Sequence, residues 1–215
     1  MSNPTTPASI GPGEFFPVVG VGPHEKPWPE GAHYDPELLL NGDRRNVLDH
    51  YRYWTVEAIV ADLDSKRHKL QIAIENWQHD LNIGSVVRTA NAFNVSGVHI
   101  VGKRDWNKRG AMVTDRYLTV HHHPTVEDFA LWCKENELPI IGIDNVPGSK
   151  QLESAQLPEK CVFLFGQEGA GMSDEGIAVC EVLYEINQYG STRSMNASAA
   201  GAIAMYHWAL QHLPR

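Results

Sequence analysis

The stretch "LQIAIENWQHDLNIGSVVRTANAFN", residues 70–94, decides how the rest of the chain is read. Its opening, "LQIAIENW", reads as a strand. Its close, "NIGSVVRTANAFN", reads as a helix, because Ile83, Val86, Val87, Ala90 and Phe93 fall on one face at 3.6 residues per turn. The same alternation continues toward the C-terminus. "GVHIVG" is a strand, "YLTVHHH" a short strand, and "TVEDFALWCKENE" a helix with Thr125 as its N-cap. "LPIIGID", "CVFLFG" and "VLYEIN" are strands, "SDEGIAVC" is a short helix, and residues 196–212 form the last helix. Short apolar strands alternating with helices predict an α/β domain built on a mostly parallel sheet flanked by helices.

The 215 residues suffice for one sizeable domain, with or without an arm. Eight of the thirteen prolines lie in residues 1–36, which excludes regular helix and central strand there. We therefore divide the chain into a Pro-rich N-terminal arm, residues 1–50, and a domain over residues 51–215. Helical material is expected within residues 43–66, in "NVLDHYRYW" and "TVEAIVADLDSKR". Cys133, Cys161 and Cys180 are odd in number and form no CxxC pair, which fits a reducing cytoplasm and no metal framework. The first sixteen residues have neither a basic region nor an apolar core, so no signal peptide is read. Residues 195–213 carry no formal charge and are long enough to span a bilayer, but Asn196, Ser198, His207, Gln211 and His212 interrupt them, and we expect no membrane span.

Ligands of open α/β sheets sit beyond the carboxyl ends of the strands. Three loops in that position are rich in Gly, Asn and uncharged polar residues: "NWQHDLNIG", "FGQEGAGMS" and "NQYGSTRSMN". In the first, Asn82 suits an N-cap whose side chain accepts from the first turn. Arg88 points away from the apolar face, above Gly84, either as a solvated surface residue or as a guanidinium with room for a ligand beneath it. In the second, Gly166, Gly169 and Gly171 allow backbone groups to approach a ligand, or simply make a tight turn. Their order, G-x-x-G-x-G, is not a dinucleotide fingerprint, and no early GxGxxG with an acidic residue about 20 positions on is present, which argues against a nucleotide-dependent oxidoreductase. Glu168 stands alone in that loop. In the third, Ser194 and Asn196 flank the start of the last helix, where free N–H groups favour polar ligand atoms. Ala197, Ala199, Ala200, Gly201 and Ala202 let that helix pack closely against another backbone.

Taken together and in order, these motifs resemble those of the SpoU (TrmH) family of RNA ribose methyltransferases, in the SPOUT superfamily. Asn82, Gly84 and Arg88 match the first; Gly166, Glu168, Gly169 and Gly171 the second; Ser194, Met195, Asn196, Ser198 and Ala200 the third. The resemblance covers about residues 55–213, with Gln167 where the family has Asn and Met195 where it has Leu. It implies a parallel α/β sheet with a C-terminal deep trefoil knot, a homodimer, and S-adenosylmethionine as methyl donor to a ribose 2′-OH. It places the cofactor against Leu164, Gly166, Gly171, Ile186, Ser194 and Met195. It gives catalytic roles to Arg88, Asn82, Glu168, Ser194 and Asn196. Because the pKa of a guanidinium exceeds about 12, Arg88 is expected to stabilise a developing alkoxide or clamp a phosphate, with the proton relayed to Glu168 or water.

A net charge of −8 is unusual for an RNA binder. The local exception is "GKRDWNKRG", residues 102–110, with Lys103, Arg104, Lys108 and Arg109 around Trp106, and Arg116 just beyond. Basic groups beside an aromatic suit phosphate contacts and stacking, and equally suit a solvated loop. The "HHH" at 121–123 does not predict a metal site, since adjacent strand residues face opposite ways. The expected substrate is RNA, a tRNA guanosine ahead of rRNA. A non-catalytic RNA-binding relative of the same fold remains the alternative, against which the intact Arg88, Glu168, Ser194 and Asn196 argue.

Overall fold

The structure is a computed structural model, and it describes residues 20–78, 82–167 and 169–214. The chain parts into two compact units between Ile59 and Val60, rather than after residue 50.

In the first unit, α1 (Pro36–Asn41) starts on a proline at its first turn, and the Asp35 side chain accepts from the Glu37 and Leu38 amides. "NVLDHYRYW" forms only a single 3₁₀ turn, Asp49–Tyr51, in place of the expected helix. The knot of this unit's polar interior is Asp43, which is fully buried. It accepts two hydrogen bonds from the Arg45 guanidinium, 2.9 and 2.7 Å, and others from the Arg45 and Tyr53 amides. Burial pushes the Asp43 carboxyl up, but these donors outweigh it and bring its pKa down to about 2.

The boundary falls within α2 (Val56–Asp64), and the second unit holds a seven-stranded sheet in which every pairing is parallel. The strands are β1 (His68–Asn76), β2 (Val95–Gly102), β3 (Val120–His123), β4 (Ile140–Ile143), β5 (Lys150–Gln151), β6 (Cys161–Phe165) and β7 (Val182–Glu185), in the order β3-β2-β1-β6-β4-β7-β5. The helices are α3 (Ile83–Ala92), α4 (Val126–Glu135), α5 (Asp174–Val179) and α6 (Ala197–His212). Thr125 caps α4 as expected, its hydroxyl accepting from the Asp128 amide at 3.1 Å.

Strand alternation divides the core. Leu70, Ile72, Ile74, Phe163 and Phe165 face α3 and α6, packing on Ile83, Val86, Val87, Met205 and Trp208. Ala73, Val162 and Leu164 face the other layer, with Val126, Phe129 and Cys133 of α4. Because all strands run in the same sense, β1, β4, β6 and β7 deliver their following loops to one edge of the sheet.

The uncharged C-terminal stretch is a packed helix of sixteen residues. Among the described residues no helix is long and apolar enough to cross a membrane. Its polar side chains tie down a neighbouring segment. Gln211 accepts from the Leu157 amide and donates to the Ala155 carbonyl, both at 3.0 Å. The Trp208 indole donates to the Pro158 carbonyl.

Candidate active site

Residues from three loops and the start of α6 line a cavity of about 460 Å³ at the carboxyl edge of the sheet. The loop after β6 contributes Gly166, Gln167 and Gly169–Met172, and the loop after β7 contributes Ile186, Gln188 and Ser194–Asn196. The start of α6 adds Ala197 and Ala200. The loop after β4 adds Asp144, Asn145 and Val146, which the sequence analysis did not single out. The signal was present: a polar "DN" directly after an apolar strand, closed by Pro-Gly, occupies the same topological position as the three loops that were chosen.

Of the expected cofactor residues, Gly166, Gly171, Ile186, Ser194 and Met195 line the cavity, and Leu164 does not. Leu164 is fully buried in the opposite layer of the core, because side chains alternate along β6 and Phe165 takes the cavity side. Gly166 is required by space. A Cβ there would fall 2.1 Å from the Met172 amide, since the Gln167 and Gly171 backbones pair with each other beside it. Gly171 sits at φ 73°, in the left-handed region.

The first and third motifs meet through their asparagines. Asn196 caps α6, its Oδ1 accepting from the Ser198 and Ala199 amides, while its Nδ2 donates to Asn82 Oδ1 at 2.8 Å. Asn82 stands at the N-cap position of α3 but its side chain makes no cap bond, contrary to expectation. The bond to Asn196, 114 residues away, takes its place.

Arg88 is exposed on α3 and has no hydrogen-bond or ion-pair partner among the described residues. The space beneath it is not a ligand channel. A Cβ on Gly84 would lie 2.8 Å from the Ala111 amide and the Asn107 carbonyl, so Gly84 admits the chain's own 107–111 segment. Glu168 lies outside the described residues.

The structure therefore lays the basic loop directly on α3. Lys103, Arg104, Lys108, Arg109 and Arg116 are all exposed. Lys108 pairs with Asp115 at 3.0 Å and lies 5.5 Å from the Trp106 ring centre. Trp106 itself packs partly into the core. Asn76, fully buried at the end of β1, donates to the Lys103 and Asp105 carbonyls and holds the start of this loop. Met112 and Val113 follow, both exposed and both at positive φ, 48° and 67°.

The three thiols are poor nucleophiles, since burial pushes Cys133, Cys161 and Cys180 up to about 12, with the Glu75 charge adding to the effect at Cys180. No group of three or more His, Cys, Asp or Glu residues placed to hold a metal occurs among the described residues.

The cavity fits an adenosine-type cofactor on three observations. Its volume is within the usual range for small-molecule sites. Its walls mix Ile143, Phe165, Ile186 and Met195 with exposed loop backbone. A cavity-lining side chain, Gln167, carries a buried Oε1 with no hydrogen-bond partner.

A family model described as "SpoU rRNA Methylase family" matches residues 69–206. The tRNA (guanosine(18)-2′-O)-methyltransferase of Borreliella burgdorferi is 25% identical over 147 residues, covering 67% of each chain. The tRNA (guanosine(18)-2′-O)-methyltransferase of Saccharomyces cerevisiae is 25% identical over 72% of this chain, which corresponds to 12% of that protein. The SpoU methyltransferase AviRb from Streptomyces viridochromogenes, solved in complex with AdoMet, shares the fold with a TM-score of 0.62 at 21% identity, over 68% of this chain and 59% of that one. This chain thus spans about two thirds or less of the length of these relatives.

Proposed function

Since the chain belongs to the SpoU rRNA methylase family, we propose that it is an S-adenosylmethionine-dependent RNA methyltransferase acting on a ribose 2′-OH. The observation that carries this reading is the Asn82–Asn196 bond, which joins the first motif to the third at a cavity walled by the second and third. When bound, S-adenosylmethionine supplies the methyl group. Gly166, Gly171, Ile186, Ser194 and Met195 would hold it through backbone and apolar contacts, with Ile143 beside them on the cavity wall. Asn82 and Asn196 fix α3 against the start of α6, and so set where Arg88 stands. Arg88, without a hydrogen-bond or ion-pair partner among the described residues, stabilises the developing alkoxide or clamps the adjacent phosphate. Ser194 orients the ribose, and Glu168 or water takes the proton.

The names of the relatives support tRNA guanosine as the substrate. Lys103, Arg104, Lys108, Arg109 and Arg116, all exposed, form the phosphate-binding face, and the 107–111 segment lies on α3 one turn before Arg88. The enzyme works as a cytoplasmic homodimer with a C-terminal trefoil knot. Support for the dimer comes from Ile203, Tyr206 and Leu210, which leave an apolar stripe exposed along one side of α6.

The test is transfer of labelled methyl to total tRNA and, separately, to ribosomal RNA. The expected result is label in tRNA at a nucleotide made resistant to alkaline cleavage, with Arg88→Ala slowing transfer by about 10²-fold or more. Label in rRNA alone moves the substrate to the ribosome. Cofactor binding without label in either pool supports the non-catalytic reading.

A further inference from the structure

Among the described residues that line the cavity, Asp144 alone carries a formal charge. It leaves the end of β4 half-buried, and its carboxylate is held in place. Oδ2 accepts from the Met172 amide at 2.7 Å and Oδ1 from the Asn145 amide at 2.8 Å. A Cβ on Gly171 would stand 3.0 Å from Oδ2, so the glycine is what admits the carboxylate to the turn. The next amide along, Ser173, is taken by a second carboxylate, Glu75, at 2.8 Å. The two acids differ in what they face. Glu75 is fully buried and both its oxygens are used by Ser173, beneath the start of α5. Asp144 lies on the cavity wall, and each of its oxygens retains accepting capacity.

S-adenosylmethionine is a net monocation, because its sulfonium adds to a zwitterionic amino-acid end. Methyl transfer breaks the S–CH₃ bond and leaves its electron pair on sulfur. The methyl joins the ribose oxygen, and the hydroxyl proton departs with the positive charge. The demethylated product, S-adenosylhomocysteine, is net neutral. A cavity of about 460 Å³ is roughly 10 Å across, so a charge bound anywhere in it lies within about a Debye length of Asp144.

On the reading of the site as an S-adenosylmethionine pocket, we propose that Asp144 is a cofactor-binding residue that makes the site prefer the cationic methyl donor over its neutral product. The same carboxylate positions the Gly171–Met172 turn. Product release is thereby coupled to loss of the charge that Asp144 attracts.

The test is calorimetric titration of the full chain, wild type and Asp144→Asn, with S-adenosylmethionine and with S-adenosylhomocysteine, and with thermal unfolding as a fold control. The amide keeps an acceptor for Met172 and removes the charge. The expected result is a five-fold or greater weakening for the donor and less than two-fold for the product. Equal weakening of both, or none, overturns the proposal and leaves the pocket assignment standing. A wild-type chain that binds neither compound overturns the pocket assignment itself. Should Asp144→Asn not fold, the unmodified chain still decides. Sinefungin, with an amine in place of the sulfonium, must bind at least five-fold more tightly than S-adenosylhomocysteine, and parity overturns the proposal.

Discussion

Asn196 does two jobs with one side chain: its oxygen caps α6 and its nitrogen holds Asn82. Removing a cap of this kind costs about 1 kcal/mol. The cost of Asn196→Ala, which loses both the cap and the bridge, is expected to exceed that of Asn82→Ala, which leaves the cap in place. A double-mutant cycle read by urea unfolding should give a coupling of about 0.5 kcal/mol or more, and strict additivity would show that the bridge carries no energy. Gly84 makes a sharper case. Its missing Cβ is replaced by the backbone of residues 107–111, which cannot move as a flexible side chain could. Gly84→Ala should destabilise by about 1–3 kcal/mol and should weaken RNA binding more than cofactor binding, because the displaced segment carries Lys108 and Arg109. Equal losses in both affinities would assign the glycine to general stability alone. Val113 is strained in the opposite sense: a β-branched residue at φ 67° costs on the order of 1–3 kcal/mol. Val113→Gly should therefore raise the unfolding midpoint, and an unchanged or lower midpoint would show that the exposed valine makes a compensating contact.

At the scale of elements, β2 and β3 are joined by histidines. His99, fully buried, donates from Nε2 to the Gln71 side-chain oxygen at 2.6 Å and accepts on Nδ1 from His123 Nε2 at 2.9 Å. His121 stacks on the same ring at 4.8 Å, while His122 turns away and donates to the Gly102 carbonyl. The alternation expected of "HHH" is present, and it places His121 and His123 together beside His99. Burial, reinforced by the neighbouring imidazoles His121 and His123, brings the His99 pKa down from 6.5 to about 2. The sign of the effect follows from proton counts. Between pH 6.5 and about 2 the unfolded chain binds this proton and the folded chain does not, so stability falls on acidification, by about 1.4 kcal/mol per pH unit for one proton. Urea unfolding from pH 7.5 to 5.0 should show this slope in the wild type and a shallower one in His99→Gln. The same slope in both proteins would remove His99 as its source.

For the whole molecule, the proposed dimer rests on one face of α6. Ile203, Tyr206 and Leu210 repeat at helical spacing on a face of α6 that nothing described covers, although the opposite face buries Met205 and Trp208. An α-helix apolar on both sides is at home between two packed layers. Replacing Ile203 and Tyr206 with Glu should give a monomer by analytical ultracentrifugation. Methyl transfer should fall with it, while the thermal midpoint changes little. A monomeric wild type would remove the stripe as a dimer interface.

How far the sequence reached is visible in particular residues. The alternation of apolar strands with helices, the Thr125 cap, and the polar loops after β1, β6 and β7 are local properties, set by side-chain period and by capping chemistry, and they were legible. So was the family, through motifs whose residues are chemically constrained wherever they stand. Strand order was not legible, since nothing local says that β4 enters between β6 and β7. That insertion is what brings Asp144 into the cavity and makes a fourth loop part of the site. Nor could the sequence show that Gly84 serves the chain's own backbone, that Leu164 turns into the far layer, or that Asn82 would give up its cap for a partner 114 residues away. Sequence alone determined most of the second unit's elements, the fold class and the family motifs, because these follow from the period and chemistry of neighbouring side chains. Tertiary structure alone decided which of those residues meet, because contact across a sheet depends on strand order and on close approaches that no local pattern encodes.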